Sequence, residues 1–235
     1  MHDGSVICPW IVPMADMKLR RIFDEEVAQT STLAARACLY DEATRSHCVS
    51  YVKSGVLSQG VINNRLNKPL AMNLYPEGSI QGFLNLFTGE PAPRLAKAIS
   101  RSTVHSMNRE QFRECICADE ELIFEYIRYA EIVAKSELLG MEALFSLNLS
   151  DRFLLFCSAS IVYSGVNPLE NSEDYLKLPI PISRASLCNV IYTTKTPLDR
   201  LLARFTKEGI ALRINNERFV LRKALNLMCE WIFSR

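Results

Sequence analysis

Histidine is nearly missing from this 235-residue chain, with three copies at His2, His47 and His105. None has a cysteine, aspartate or glutamate at nucleophile or metal spacing, so no catalytic site, metal or cofactor is expected. Glycine is sparse, nine in all, and no glycine-rich phosphate-cradling loop occurs. No continuous apolar run approaches ~18 residues, which argues against a membrane span. Val6 to Met14 is apolar, but Pro9 and Pro13 interrupt it and no basic flank precedes it, so it is a poor signal peptide.

Cysteine is not scarce. Eight stand at 8, 38, 48, 115, 117, 157, 188 and 229. Without a secretion signal they are expected to be reduced, in a cytoplasmic protein. Cys157 and Cys188 fall on apolar helix faces and read as core. Cys115-Ile116-Cys117 lacks two further ligands nearby, which makes it a weak metal site. A regulatory thiol pair stays open.

The composition is 49% hydrophobic and 23% charged, that of a globular chain long enough for two domains. A net charge of +1 hides an asymmetry. From Pro179 onward there are ten Lys/Arg against four Asp/Glu, whereas residues 1–178 hold 17 against 22. A polyanion partner suits only the carboxyl end.

That end contains Ser183 to Gly209, which reads as two short helices joined by a tight turn. Ser183 can cap the first, which carries Leu187, Val190 and Ile191 on one side. Thr194 or Thr196 can cap the second, with Pro197 in its first turn. Leu198, Leu201, Leu202 and Phe205 fall at helical spacing on one face. Thr196, Arg200, Ala203 and Lys207 line up on the other, with Arg204 beside them and Lys195 at the start. An amphipathic surface helix with solvated arginines would show the same pattern. Two strand-like runs follow, Ile210–Ile214 and Arg218–Leu221, with Asn215-Asn216-Glu217 as the turn. Helix, turn, helix and hairpin together spell a winged helix-turn-helix, a fold that lays its second helix in the major groove.

Residues from about 18 to 112 alternate short apolar runs with turn signals, as antiparallel strands do. Val49 to Ile62 looks like a hairpin around Gly55, and Leu70 to Tyr75 like the returning strand. A long helix signal starts at Ala118, its Asp119-Glu120-Glu121 suiting a helix N-terminus. Ile123, Ile127, Ala130, Ala134, Leu138, Met141 and Phe145 repeat along it near coiled-coil spacing, a seam for a twin helix or for a buried helix. Leu147 to Leu149 is a hinge, and Ser150 can cap a helix carrying Phe153, Leu154, Cys157 and Ile161. Leu178 to Ile182 reads as a strand, and Arg222 to Phe233 as a last helix.

The chain resembles the CRP/FNR superfamily of transcription regulators. The resemblance is carried by Ile182-Ser183-Arg184, by Leu198 to Phe205, by Lys207-Glu208-Gly209-Ile210, and by Gly78-Ser79 with Gly82-Phe83-Leu84-Asn85-Leu86-Phe87 upstream. It implies an α+β chain of three parts. These are an effector-sensing β-roll over 1–117 (a cyclic-nucleotide-binding-like jelly roll), a dimerisation helix over 118–147, and a winged helix-turn-helix over 148–235. Implied partners are double-stranded DNA bearing a pseudo-palindromic operator, a small-molecule effector, a second copy of the chain and RNA polymerase.

The same resemblance assigns Arg184, Thr194, Lys195, Thr196, Arg200, Arg213, Asn216 and Arg218 to DNA. Members often carry Glu where this chain has Thr196, so the acceptor for a cytosine amino group is gone. Ile123, Ile127, Ala130, Ala134 and Met141 fall to the dimer. Gly82, Phe83, Arg94, Leu95, Tyr126, Tyr129 and Leu138 fall to the effector. Cyclic-nucleotide binders place an acid where Phe83 stands and a hydroxyl where Leu95 stands, so cyclic AMP is not the expected ligand. Arg94 among aromatic and apolar residues suits an aromatic acid or phenolate, in line with a looser similarity of Ala118–Glu125 and Ser150–Arg152 to the chlorophenol-responsive branch. A ligand-free regulator, a thiol-controlled one and a winged helix used for protein contact are the alternatives.

Overall fold

The computed structural model describes residues 6–25, 28–40, 47–63, 68–84, 86–88, 94–214 and 217–235. The chain divides into two units, Val12–Lys135 and Met1–Ile11 with Ser136–Arg235.

The first unit begins with α1 (Met17–Glu25), which buries Leu19, Ile22 and Phe23 on one side. Eight strands follow: β1 (Gln29–Leu33), β2 (Cys38–Tyr40), β3 (Cys48–Ser54), β4 (Val56–Asn63), β5 (Lys68–Pro76), β6 (Ile80–Gln81), β7 (Arg94–Ala98) and β8 (Ser102–Asn108). They form two antiparallel sheets of order β1-β8-β3-β6 and β2-β7-β4-β5. Tyr51 and Ile80 of one sheet and Leu57 and Tyr75 of the other enter a single core with Phe23, Phe83 and Phe112. This is a β-roll.

The hairpin expected around Gly55 is not one. β3 pairs with β8 and β6, and β4 pairs with β5 and β7, so Gly55 carries the chain from one sheet into the other. Its φ is +86°, and a Cβ there would lie 2.4 Å from Ser102 Oγ and 2.5 Å from the Arg101 carbonyl oxygen. Only glycine fits that corner.

α2 (Arg109–Cys117) follows, capped by the Asn108 side chain, which accepts from the Glu110 N–H. The 27-residue α3 (Glu120–Ser146) runs on into the second unit. There Ser136 Oγ donates to the Cys8 carbonyl at 2.6 Å, and Gly140 lies so close to Trp10 that a Cβ would meet the indole at 2.6 Å.

The second unit continues with α4 (Leu149–Tyr163), β9 (Tyr175–Lys177), α5 (Arg184–Val190), α6 (Lys195–Lys207), β10 (Ala211–Ile214), β11 (Glu217–Leu221), a 3-10 turn (Arg222–Leu225) and α7 (Asn226–Phe233). α4 is the spine of this unit, with Phe153 and every residue from Leu155 to Ile161 buried. Its cap is Asn148, whose Oδ1 accepts from the Ser150 and Asp151 N–H groups, and not the expected Ser150. The strand expected over 178–182 lies earlier, at β9, because Pro179 and Pro181 have no N–H for a ladder. Glu217, expected in the turn, opens β11 opposite Ile214.

No disulfide joins any of the eight cysteines, all of which lie among the described residues. Cys157 and Cys188 are core, as expected. Burial pushes the Cys8 thiol up to about 12, with nearby Cys229 adding to it, and burial pushes Cys157 up as well. The thiolate is the reactive form. Iodoacetamide at mildly alkaline pH should therefore label exposed Cys38 and Cys117 and spare Cys8 and Cys157, as read by peptide mass mapping of the native protein.

Candidate nucleic-acid interface and effector site

The second helix of the predicted pair is α6. Its apolar side is spent on the core: Leu198, Leu201 and Phe205 are buried, and the Phe205 ring meets Phe153 of α4 at 5.8 Å. Lys195, Thr196, Arg200, Ala203 and Lys207 are all exposed. Thr194 is the N-cap residue, but its hydroxyl makes no capping bond, which leaves it available to a partner. The helix ends at Glu208, and Gly209 follows at φ +69°.

Ser183 caps α5 as expected, its hydroxyl accepting from the Ser186 N–H. Arg184 is exposed and ion-paired with Asp199 of α6 at 3.0 Å, which ties the two helices together. Between them Tyr192 sits at φ +49°, a strained backbone for a bulky residue. Arg152 holds that turn from α4. Its guanidinium donates to the Ile191 carbonyl at 2.9 Å and the Tyr192 carbonyl at 3.2 Å, and partial burial lowers its pKa. Sequence reading missed Arg152, because its partners are carbonyls some forty residues away.

The wing is the antiparallel pair β10–β11, with Arg213 directly opposite Arg218. β9 adds a third strand beside β11. Tyr175 anchors the base of the wing, donating from its hydroxyl to the Gly209 carbonyl at 2.7 Å. Arg213 is exposed and Arg218 half-buried. Burial lowers the Arg218 pKa, Cys157 opposes this, and Arg213 and Arg184 add like-charge repulsion. Asn216 lies outside the described residues. The other seven candidates for DNA contact therefore share one unit, on α5, on α6 with its N-cap, and on the wing.

The candidate effector residues are less united. Phe83 and Tyr129 are buried in the roll core with their rings tilted at 5.2 Å, and Tyr126 meets Phe83 edge-on at 6.0 Å. The Tyr129 hydroxyl accepts from the Ile80 N–H at 2.8 Å, and the Tyr126 hydroxyl donates to the Phe83 carbonyl at 3.2 Å. Gly82, at φ +81°, lies where a Cβ would be 2.5 Å from the Cys48 carbonyl oxygen, so its need for glycine is met by packing alone. Leu138 is 63% exposed on α3. Arg94 and Leu95 are neighbours in β7, so their side chains leave opposite faces of the sheet.

Arg94 instead belongs to a polar network that sequence reading missed. Its guanidinium donates to Gln59 Oε1 at 3.4 Å, and the Tyr75 hydroxyl donates to the same oxygen at 2.8 Å. The Gln59 amide donates to the Tyr40 hydroxyl. Burial pushes Tyr40 up to about 12, against the opposing pull of the Gln59 bond and of Arg94 and Arg109. Three strands, β2, β4 and β5, bring these groups to Arg94. Among the described residues, no cluster of three or more metal-ligating side chains occurs, and no helix is long and apolar enough to cross a membrane.

The β-roll, the long helix and the winged helix-turn-helix, in that order, define the fold of the CRP/FNR regulators. A variant of CooA from Carboxydothermus hydrogenoformans superposes with a TM-score of 0.70 at 16% identity, covering 94% of this chain and 98% of its own. CprK complexed with OCPA gives 0.66 at 17%, covering 94% and 99%. A CRP/FNR-family regulator from Eubacterium rectale gives 0.66 at 11%, covering 92% and 95%. No protein-family model and no curated protein matches the sequence.

Proposed function

We propose that this chain is a cytoplasmic, homodimeric, sequence-specific DNA-binding transcription regulator, not an enzyme, whose β-roll takes a small-molecule effector. The observation that carries the reading is the outward face of α6. Lys195, Thr196 and Arg200 stand exposed on a helix locked from behind by Leu198, Leu201 and Phe205, beside a wing that adds arginines. A rigid helix of that shape fits the major groove, and flanking guanidiniums reach phosphates. Twofold pairing through α3 would place two such heads on half-sites about 34 Å apart. Arg184, Arg213, Asn216 and Arg218 hold the backbone; Thr194, Lys195, Thr196 and Arg200 read base edges. RNA polymerase is the protein partner of the DNA-bound dimer.

The effector is an aromatic acid or phenolate. Arg94 with Tyr40, Gln59 and Tyr75 supplies the polar contacts, and the Phe83, Tyr126 and Tyr129 cluster lies in the same unit. Buried Phe83 gives a ribose no acceptor, so cyclic AMP loses a hydrogen bond worth about 0.5–1.5 kcal/mol and buries an unmet hydroxyl.

Selection from random duplexes, followed by fluorescence anisotropy, tests the reading head. Arg200→Ala should lower operator affinity about 5- to 150-fold, or 1–3 kcal/mol, and relax the choice at one base. A variant with full affinity and unchanged base preference would remove Arg200 from the reading head. Binding should also weaken by decades between low and physiological salt, which a largely apolar protein contact would not.

A further inference from the structure

Behind the wing lies a cavity of about 210 Å³. Its walls come from α4 (Phe153), the segment after β9 (Leu178), α6 (Leu202) and the wing (Phe219), all apolar. Its charged lining is of one sign, Arg184, Arg213 and Arg218, with Thr206 as the one neutral polar side chain. Of these, Arg184 is already paired with Asp199. Arg218 is half-buried, its cross-strand neighbour is another arginine, and no ion pair joins it to a carboxylate among the described residues. Burial lowers its pKa most, and Arg213 and Arg184 add to this against the opposing pull of Cys157.

A DNA phosphate can approach these guanidiniums but has nothing to place against Phe153, Leu178, Leu202 and Phe219. A small amphipathic anion has both parts. The volume is below the ~300–1,000 Å³ of drug-sized sites, which restricts the occupant to a short chain or single ring. We infer that this cavity is a second ligand site, separate from the β-roll, that takes a small monocarboxylate with its carboxylate on Arg218 and its apolar tail against Phe153 and Phe219. Because Arg213 and Arg218 are also the proposed phosphate contacts, an occupied cavity competes with DNA; this last step rests on the function proposed above.

The test uses the full chain and hexanoate. Isothermal titration calorimetry should show saturable binding, one hexanoate per chain. Arg218→Gln should abolish it, Arg218→Lys should retain a weakened form, and Arg94→Gln in the β-roll should leave it intact. Methyl hexanoate, which lacks the charge, should not bind. In operator titrations at constant ionic strength, hexanoate should raise the apparent Kd for DNA several-fold where equal acetate does not. Binding lost in Arg94→Gln and kept in Arg218→Gln would place the anion in the roll and overturn the inference. No saturable binding to the wild-type chain, or an acetate effect equal to that of hexanoate, would overturn it too. Failure of the unliganded protein to select any operator would sink the proposed function instead and leave the calorimetric result standing by itself.

Discussion

Leu138→Glu combined with Met141→Glu should leave the chain folded but monomeric, and operator binding should collapse with the dimer. On α3 the residues turned inward are Tyr129, Val133, Ser136, Leu139, Gly140 and Ala143. Turned outward are Ile127, Ala134, Leu138, Met141 and Phe145, with Leu138 63% and Phe145 88% exposed. Fully burying one such side chain contributes about 1.5–3 kcal/mol, so four large ones on a twin helix would supply the main favourable term of pairing against the entropy of association. Ile123 and Ala130, expected in that seam, are half-buried against the roll core, so the stripe leans toward Leu138 and Phe145. Two glutamates there meet two more across the axis, which adds repulsion to the lost burial. The sites are exposed within one chain, so the circular dichroism spectrum should hold. Sedimentation should show the variant as a monomer at every concentration and the wild type as a dimer. A double variant that still pairs would move the interface away from this stripe.

Phe205→Ala should be the most damaging single truncation behind the exposed face of α6. Its ring is 3% exposed, meets Phe153 at 5.8 Å and carries the Arg204 guanidinium at 5.2 Å. Its carbonyl accepts from the Ile210 N–H at 2.8 Å, at the entry to the wing. Emptying such a site costs about 3–5 kcal/mol, transfer and cavity together. Against a typical total of about 5–15 kcal/mol, that is enough to loosen α6 and the wing. Urea unfolding should show the loss as a lower midpoint. A fall under ~1 kcal/mol would mean that α6 does not lean on α4.

In the local structure of α5 and α6, the sequence was a good guide. Ser183 accepting from Ser186, Gly209 beyond the end of α6 and the buried Leu198, Leu201 and Phe205 all follow from residues within a few turns of one another. Caps and helical periodicity are short-range physics, so spacing alone reveals them. The effector side was harder to read. The resemblance groups Arg94 with Leu95, yet strand alternation sends them to opposite faces. Tyr40, Gln59 and Tyr75, which do meet Arg94, come from three other points of the chain and share no motif with it. The corner at Gly55 shows the same limit, because a strand-turn-strand pattern is identical whether or not the two strands pair with each other.

By itself, then, the sequence determined where the basic end lies, which helix has a leucine back and a cationic front, and that a long helix carries a repeating apolar stripe. Each is a matter of periodicity or charge along a contiguous segment. Only the tertiary structure decided which face of the long helix stays outside, that Arg152 props the turn before α6, that Gly55 joins two sheets, and that three arginines look into one apolar hollow. Those are contacts between residues dozens of positions apart, set by strand pairing and packing, and no local pattern encodes them.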